Sequence, residues 1–465
     1  MKHSNAIHFE ISERKVLLRI IDIVMAFSGI FVLSNYFGFE YLDITSKNTV
    51  PLIVLISYIS VFGTIFEIYD LQQASKLDVS FKNIVLCMST VVLFYLLTPF
   101  ITPVLPEARL QIIYFYVTLI GSVFLWRVLY NTLIASPRFH KRILLVGELS
   151  NIHNVVSTLT KADSNYQFVG FINSADKTLD AIKYRGLKEY TTTHLSNVII
   201  DEQISEIIVA VSNAENISTS LYHELMLLLE RGFKIREYTQ VYEEVTKKVP
   251  IQFVGKDFYK YFPFSRNNEN QLYRFFHRTF DILFSLSGIL FMLIIIPFIA
   301  LGNVFGNKGP LFYTQERIGK NSTLFTIFKF RTMVADAELS KGAQWATKDD
   351  VRVTTFGKFL RRSRLDEIPQ FINVLKGEMS IIGPRPERPF FVAELSRSIP
   401  FYETRHIIKP GLTGWAQVNS RYGGSVEESL TKLQYDLYYI KHRSPFLDLN
   451  VILKTLSTVL YYRGQ

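Results

Sequence analysis

Four apolar stretches, at about residues 16–37, 51–68, 81–100 and 110–130, fill most of the first 130 residues of this 465-residue chain. Each is close to the ~20 residues a helix needs to cross a bilayer. Composition agrees. Hydrophobic residues make up 48% and charged residues only 20%, which excludes a disordered, collagenous or disulfide-rich chain. The single cysteine, Cys87, excludes an internal disulfide and a multi-cysteine zinc site. It lies in an apolar run and reads as a small buried hydrophobe. Asp22 and Glu67 lie near the edges of their stretches, within reach of the interface. No cleavable signal peptide is visible, since the first 15 residues are polar and mixed in charge. Lys2, Arg14, Lys15 and Arg19 precede the first stretch, and Arg127, Arg138, Lys141 and Arg142 follow the fourth. The two outer loops carry only Lys47 and Arg109. This positive bias predicts four membrane helices over residues 1–135, with both ends on the cytoplasmic side.

Residues 140–250 read as a soluble α/β domain. Arg142–Gly147, Phe168–Ile172, Glu206–Val211 and Phe233–Arg236 are short buried strands separated by helical patterns. That alternation predicts a doubly wound parallel sheet. A dinucleotide site would place G-x-G-x-x-G after the first strand. The chain offers Gly147-Glu-Leu-Ser-Asn-Ile instead, with Glu148 where pyrophosphate would sit, so no nicotinamide cofactor is expected and the domain reads as regulatory or structural. A polar, aromatic linker covers about 251–272. A fifth apolar run, 282–301, contains Pro297, which removes a helical hydrogen bond and kinks the chain. The run either spans the membrane or enters, bends at Pro297 and returns.

The last part of the chain, residues 303–465, carries 24 basic against 15 acidic side chains. A folded segment this basic implies an anionic partner: phosphates, nucleic acid or an anionic membrane surface. Its chemistry centres on Asp366-Glu367. Pro369 suits the first turn of a helix and Gly377 the position just past its end, framing about ten residues. Asp366 then sits at the positive end, where a carboxylate stays ionised and a phosphate is favoured. A carboxylate there can attack phosphorus and form an acyl phosphate. Glu367 is a candidate Mg²⁺ ligand beside it. Taken alone, the pair reads better as a helix cap with a solvated neighbour. The basic residues around it favour chemistry. Lys329 and Arg331 are two apart and would share one face of a strand. Arg361, Arg362 and Arg364 immediately precede the pair, and Arg385 is fixed between two prolines. Arginine forks match phosphate oxygens, and phosphoryl transfer needs mainly positioning and neutralised charge. Basic contact with a membrane surface is the competing explanation. Gly411, Gly414, Gly423 and Gly424 mark loops with special backbone angles. Trp415 is suited to stacking or to packing, and Leu447–Tyr462 to an amphipathic helix on the membrane or in the core.

Five words in order, Gly309–Gly319, Lys329-Phe-Arg-Thr-Met333, Arg361–Gly377, Ser380–Pro386 and Lys409–Gln417, resemble the bacterial sugar transferase family, the polyprenyl-phosphate phosphoglycosyl transferases. The resemblance covers about Tyr273–Arg463, and the whole layout resembles the large subfamily, with a CoA-binding-like middle domain. It implies a membrane protein of α plus α/β class: four transmembrane helices, a Rossmann-like middle domain, and a mainly helical monotopic catalytic domain, 273–465, on the cytoplasmic face of the bacterial inner membrane. It implies transfer of a sugar-1-phosphate from a UDP-sugar to undecaprenyl phosphate, releasing UMP, in exopolysaccharide, capsule or O-antigen synthesis. The resemblance casts Asp366 as nucleophile, forming a covalent phosphosugar, and Glu367 as its partner, both tied to Mg²⁺. Lys329, Arg331, Arg364, Arg385, Gln315 and Arg317 become substrate or phosphate contacts, and Pro297 the break in a re-entrant helix. Arg364 stands where many relatives have serine. The lipid bilayer is an expected partner, a homodimer is possible, and nucleic acid is not expected. Two other readings compete: a membrane-tethered nucleotide-sugar oxidoreductase or epimerase, and a non-catalytic regulator of polysaccharide assembly.

Overall fold

Long apolar helices and a mixed α/β region follow one another along the chain in a computed structural model that describes residues 11–45, 48–74, 76–133, 141–163, 166–174, 187–192, 195–211, 217–251, 270–307, 309–334, 350–420 and 425–460. The expectations for residues 252–269, Arg138, Lys47, Gly423, Gly424 and Arg463 lie outside these. The chain divides into two units, Met1–Thr246 and Lys247–Gln465.

The first unit opens with helices α1 (Ile11–Phe37), α2 (Thr49–Ile65), the short α3 (Leu71–Ala74), α4 (Leu77–Leu97) and α5 (Leu110–Leu133). Helices α1, α4 and α5 are long and apolar enough to cross a membrane. The second predicted stretch forms a shorter apolar helix of 17 residues. It stops at Ile65 because Glu67 takes a left-handed conformation, φ 57°, in the turn that follows. Asp22, expected at the interface, is instead fully buried and bonded to Arg127 on α5 at 2.8 Å. An intramembrane charge survives only when paired in this way. Cys87 is buried in the bundle core, as expected.

A five-stranded parallel sheet follows, built from β1 (Lys141–Gly147), β2 (Tyr166–Asn173), β3 (Lys188–Glu189), β4 (Glu206–Ala210) and β5 (Ile235–Glu237). Its order is β3-β2-β1-β4-β5, with every neighbouring pair parallel. Helices α6 (Leu149–Ala162), α7 (Leu195–Asp201), α8 (Thr219–Glu230) and α9 (Tyr238–Thr246) alternate with the strands. Burial on both faces makes β1 apolar along its centre, Ile143–Val146 being fully buried. Arg14 of α1 forms a two-pronged pair with Asp163 at 3.0 and 3.1 Å, which joins the bundle to the sheet within one unit.

The second unit begins earlier than the composition suggests. Val249 and Ile251 pack in its core, and the Val249 N–H donates to Gln434 O. Its longest element is α10 (Gln271–Gly306), a single helix that continues through Pro297. The hairpin β6 (Phe312–Ile318) and β7 (Leu324–Phe330) follows, then α11 (Thr355–Arg362), a 3₁₀ segment (Leu365–Gln370) and α12 (Phe371–Lys376). The parallel pair β8 (Ser380–Ile382) and β9 (Gly411–Thr413) brackets α13 (Pro389–Ser398). Helices α14 (Trp415–Asn419), α15 (Val426–His442) and α16 (Pro445–Leu460) close the unit.

Helix α10 buries both polar and apolar side chains against its own unit, Met292 and Ile299 among the latter, and is apolar towards the outside. Asp281, Ser285 and Asn303 are buried, whereas Phe275, Leu283, Leu290, Ile294, Phe298 and Phe305 on the opposite side are exposed. A water-facing helix has the reverse arrangement. The helix contacts the same unit from end to end. Arg278 donates to Val374 O and Leu375 O at 2.7 Å near its start. An added Cβ at Gly288 would sit 2.4 Å from the Phe371 ring at its middle. Asn307, just past its end, donates to Arg331 O at 2.7 Å.

Candidate active site

The predicted helix frame around Asp366-Glu367 is present, with a tighter beginning. Arg364 adopts φ 59°, which reverses the chain after α11. Pro369 lies in the 3₁₀ segment, and Gly377 ends α12 at φ 86°, a left-handed position that suits glycine. The carboxylates fall in the first turn, and both residues are buried, 7% and 8% exposed.

Three cations converge on Glu367. Lys329 Nζ and Arg385 guanidinium each lie 2.9 Å from Oε1, and Arg364 lies 3.6 Å from Oε2. Burial pushes the Glu367 carboxyl up, but Arg385, Lys329 and Arg364 more than offset it and hold it well below its ordinary range. Asp366 is treated differently. Burial and then the charge of Glu367 raise its carboxyl, opposed by Lys329, Arg361 and Arg364. Its Oδ1 is buried without a hydrogen-bond partner. An orphaned buried carboxylate oxygen is costly. The pair therefore consists of one carboxylate locked by cations and one with a buried, unpaired oxygen.

Not every predicted contact meets here. Arg331 follows the last residue of β7, so the alternation that aims Lys329 at Glu367 no longer governs it. Its Nε donates to Pro310 O at 3.0 Å and its guanidinium covers the Tyr313 ring. Gln315 and Arg317 sit on β6 and bond to each other at 2.7 Å, while Arg317 also donates to Pro386 O at 3.2 Å. They brace the Pro384–Pro386 loop rather than touch the pair. Trp415 packs: its indole N–H donates to Lys247 O and its ring stacks on Tyr438. Among the described residues no group of three or more His, Cys, Asp or Glu could hold a metal alone.

Two residues that the sequence reading did not single out organise the site. Asn373, fully buried, accepts from the Phe328 N–H and donates to Thr326 O and Glu378. It pins the strand bearing Lys329 to the helix that follows Asp366-Glu367. A lone polar residue inside the apolar run Phe371–Leu375 was the available signal. Arg405 donates to Arg385 O at 3.0 Å and to the Tyr402 hydroxyl at 2.7 Å, and pairs with buried Asp436 at 2.8 Å. It holds the backbone from which Arg385 reaches Glu367. Close packing completes this support, since a Cβ on Gly411 would lie 2.1 Å from Gly383 N.

The family model described as bacterial sugar transferase matches residues 272–462. Three relatives are similar to part of the chain. The UDP-N-acetylgalactosamine-undecaprenyl-phosphate N-acetylgalactosaminephosphotransferase of Aeromonas hydrophila is 44% identical over 42% of this chain and 47% of its own length. The UDP-glucose:undecaprenyl-phosphate glucose-1-phosphate transferase of Xanthomonas campestris pv. campestris is 46% identical over 35% of this chain and 34% of its own. A putative undecaprenyl-phosphate N-acetylgalactosaminyl 1-phosphate transferase of Bacillus subtilis is 45% identical over 30% of this chain and 79% of its own. The match spans less than half the length of the first two relatives.

Proposed function

This chain belongs to the bacterial sugar transferase family, and on that premise we propose that it moves a sugar-1-phosphate from a UDP-sugar to undecaprenyl phosphate. One observation carries the reading: Asp366 presents an unpaired buried oxygen beside a glutamate that three cations keep ionised. In the first step an Asp366 oxygen attacks the β-phosphorus of the donor. The new O–P bond replaces the bridge to the α-phosphate, and UMP leaves. In the second step an oxygen of the lipid phosphate attacks the same phosphorus. The Asp366 carboxylate is released and a lipid diphosphate sugar forms. Lys329, Arg364 and Arg385 supply positive charge where the diphosphate must lie. Such fixed charge is worth most in a site shielded from water.

The donor set fits Mg²⁺, which takes one or two carboxylates and fills its remaining positions with phosphate oxygens and water. Asp366 Oδ1 has no hydrogen-bond partner to displace, whereas Glu367 Oε1 is already shared by Lys329 and Arg385. When bound, Mg²⁺ would screen the diphosphate charge.

The end-to-end packing of α10 on its own unit and its exposed apolar face support a helix that enters the membrane without crossing it, unbroken at Pro297 where the sequence suggested a break, with the catalytic unit on the cytoplasmic face. Reaction at the interface suits a carrier whose phosphate lies there and whose chain stays in lipid. The test is UMP release by the purified protein with undecaprenyl phosphate and Mg²⁺ across a panel of UDP-sugars. Release with one sugar, lost in Asp366→Asn, supports the reading and names the donor. Release unchanged in that variant removes Asp366 from the reaction.

A further inference from the structure

An open pocket of about 300 Å³ lies at the far end of β7 from the catalytic pair. Lys320, Asn321, Leu324, Gly377, Glu378 and Lys409 line it. From Leu324 to Lys329 the strand advances about 16 Å at ~3.3 Å per residue, so the pocket is separate from the Asp366 site.

Its charge is out of balance. A Cβ on Gly377 would lie 3.3 Å from Lys409 Nζ and 3.5 Å from an Arg278 nitrogen, so two cations flank a position that has no side chain. Lys320 and Arg274 add their charge to the field at Lys409. The carboxylates nearby are already engaged. Glu378 accepts from Asn373 at 2.7 Å, and Asp281 accepts from the Ser380 hydroxyl and the Ile381 N–H at 3.0 and 2.9 Å. Arg278 is occupied with the carbonyls that end α12. Among the described residues the side-chain amines of Lys320 and Lys409 have no hydrogen-bond or ion-pair partner. Burial, followed by the charge of Arg278, lowers the Lys409 amine. The charge of Asp281 opposes this in part, but Asp281 forms no ion pair with Lys409, and a half-buried lysine without a directly paired counter-ion is held at a cost that a bound anion would relieve.

The position says which anion. Arg274 and Arg278 belong to the first turns of α10, and exposed Leu272, Phe275 and Phe276 lie beside them on the same turns. Cations next to an apolar face that water does not favour form an interfacial arrangement. We propose that the pocket bounded by Lys320, Gly377 and Lys409 binds the phosphate of an anionic membrane phospholipid, with the acyl chains running along the exposed side of α10. The proposal rests on the reading that this face of α10 meets lipid, but it does not require turnover.

The test uses the full-length protein in neutral detergent, titrated with phosphatidylglycerol and read by thermal unfolding. Phosphatidylcholine and inorganic phosphate are parallel probes, and Lys320→Gln, Lys409→Gln and the double variant are compared with the unaltered chain. Phosphatidylglycerol is expected to raise the unfolding temperature, with apparent affinity falling about five-fold per lysine removed. Phosphatidylcholine is expected to do nothing. The variants should match the unaltered protein in the absence of lipid, which separates lost binding from lost folding. Equal phosphatidylglycerol affinity in the double variant would overturn the site. Saturation of the effect by inorganic phosphate at the same concentrations would overturn the lipid as its occupant. Loss of UMP release in Lys409→Gln without added phospholipid would assign the pocket to the transfer reaction instead. Silence of the unaltered protein towards every UDP-sugar would count against the proposed function and leave the lipid result standing.

Discussion

Replacing Arg405 tests whether the site depends on support from outside its own contacts. Arg405 and Asp436 are 5% and 1% exposed and lie 2.8 Å apart. Arg405→Ala would leave Asp436 buried without a counter-charge, at a cost of about 3–5 kcal/mol. That is a large part of a stability that is ordinarily ~5–15 kcal/mol, so the single variant is expected to fold poorly and to say little about catalysis. The double variant Arg405→Met with Asp436→Leu removes both charges and keeps much of the volume. Replacements of this kind are often neutral or stabilising. What it still loses is the donor to Arg385 O. A hydrogen bond from a charged group contributes about 1.5–3 kcal/mol, which at ~1.4 kcal/mol per decade is roughly a 10- to 150-fold loss in rate if felt fully at the transition state. The assay is the initial rate of UMP release beside the unfolding temperature. Arg405→Lys keeps the charge but cannot reach Arg385 O, Tyr402 and Asp436 together, so it is expected to fall between. A double variant that folds normally and turns over within two-fold of the unaltered protein would refute the positioning role.

Lys329→Met and Arg385→Ala each remove one cation from Glu367 Oε1, and each is expected to slow UMP release by about 10²–10³-fold with a much smaller change in unfolding temperature. Gly357→Ala would place a Cβ 2.0 Å from Thr332 O and 2.8 Å from its Cα. That is backbone which cannot step aside, so a loss of about 1–3 kcal/mol or more is expected by thermal unfolding. His406 is buried, and burial followed by Arg405 lowers its imidazole from 6.5 to about 4. Its folded value is depressed, so its contribution is fully present above pH 6.5 and is lost as pH falls towards 4. Between pH 7.5 and 5 the loss is about 2 kcal/mol. His406→Gln should flatten this part of the stability–pH curve, and an unchanged slope would remove His406 as its cause.

Local order and chemistry were legible where they are written in short words. The alternation of short strands with helical segments over 142–236 predicted a parallel sheet. Asp366-Glu367, Pro369 and Gly377 framed a helical segment because capping and proline rules act over a few residues. The missed features are long-range. Arg405 and Asp436 are far apart in sequence, as are Asp22 and Arg127, and neither pairing leaves a periodic trace. The Arg331 expectation failed because an alternation rule ends with its strand, and β7 ends at Phe330. The second apolar stretch was too long because Glu67 departs from the helical region, and nothing in its hydropathy announces that. Asp366 and Glu367 look alike as letters. Their different environments arise from β7, the Arg385 loop and the 3₁₀ segment meeting in space.

The central claim is that Asp366 carries the phosphosugar between donor and acceptor. Incubating the protein with a UDP-sugar it accepts, without undecaprenyl phosphate, and measuring its intact mass tests this most directly. The account predicts UMP release approaching one equivalent, a mass gain equal to the sugar phosphate on a peptide containing Asp366, and loss of both in Asp366→Asn. Full turnover in the presence of acceptor, with no UMP released and no adduct formed in its absence, would contradict it and point to direct transfer between the two substrates.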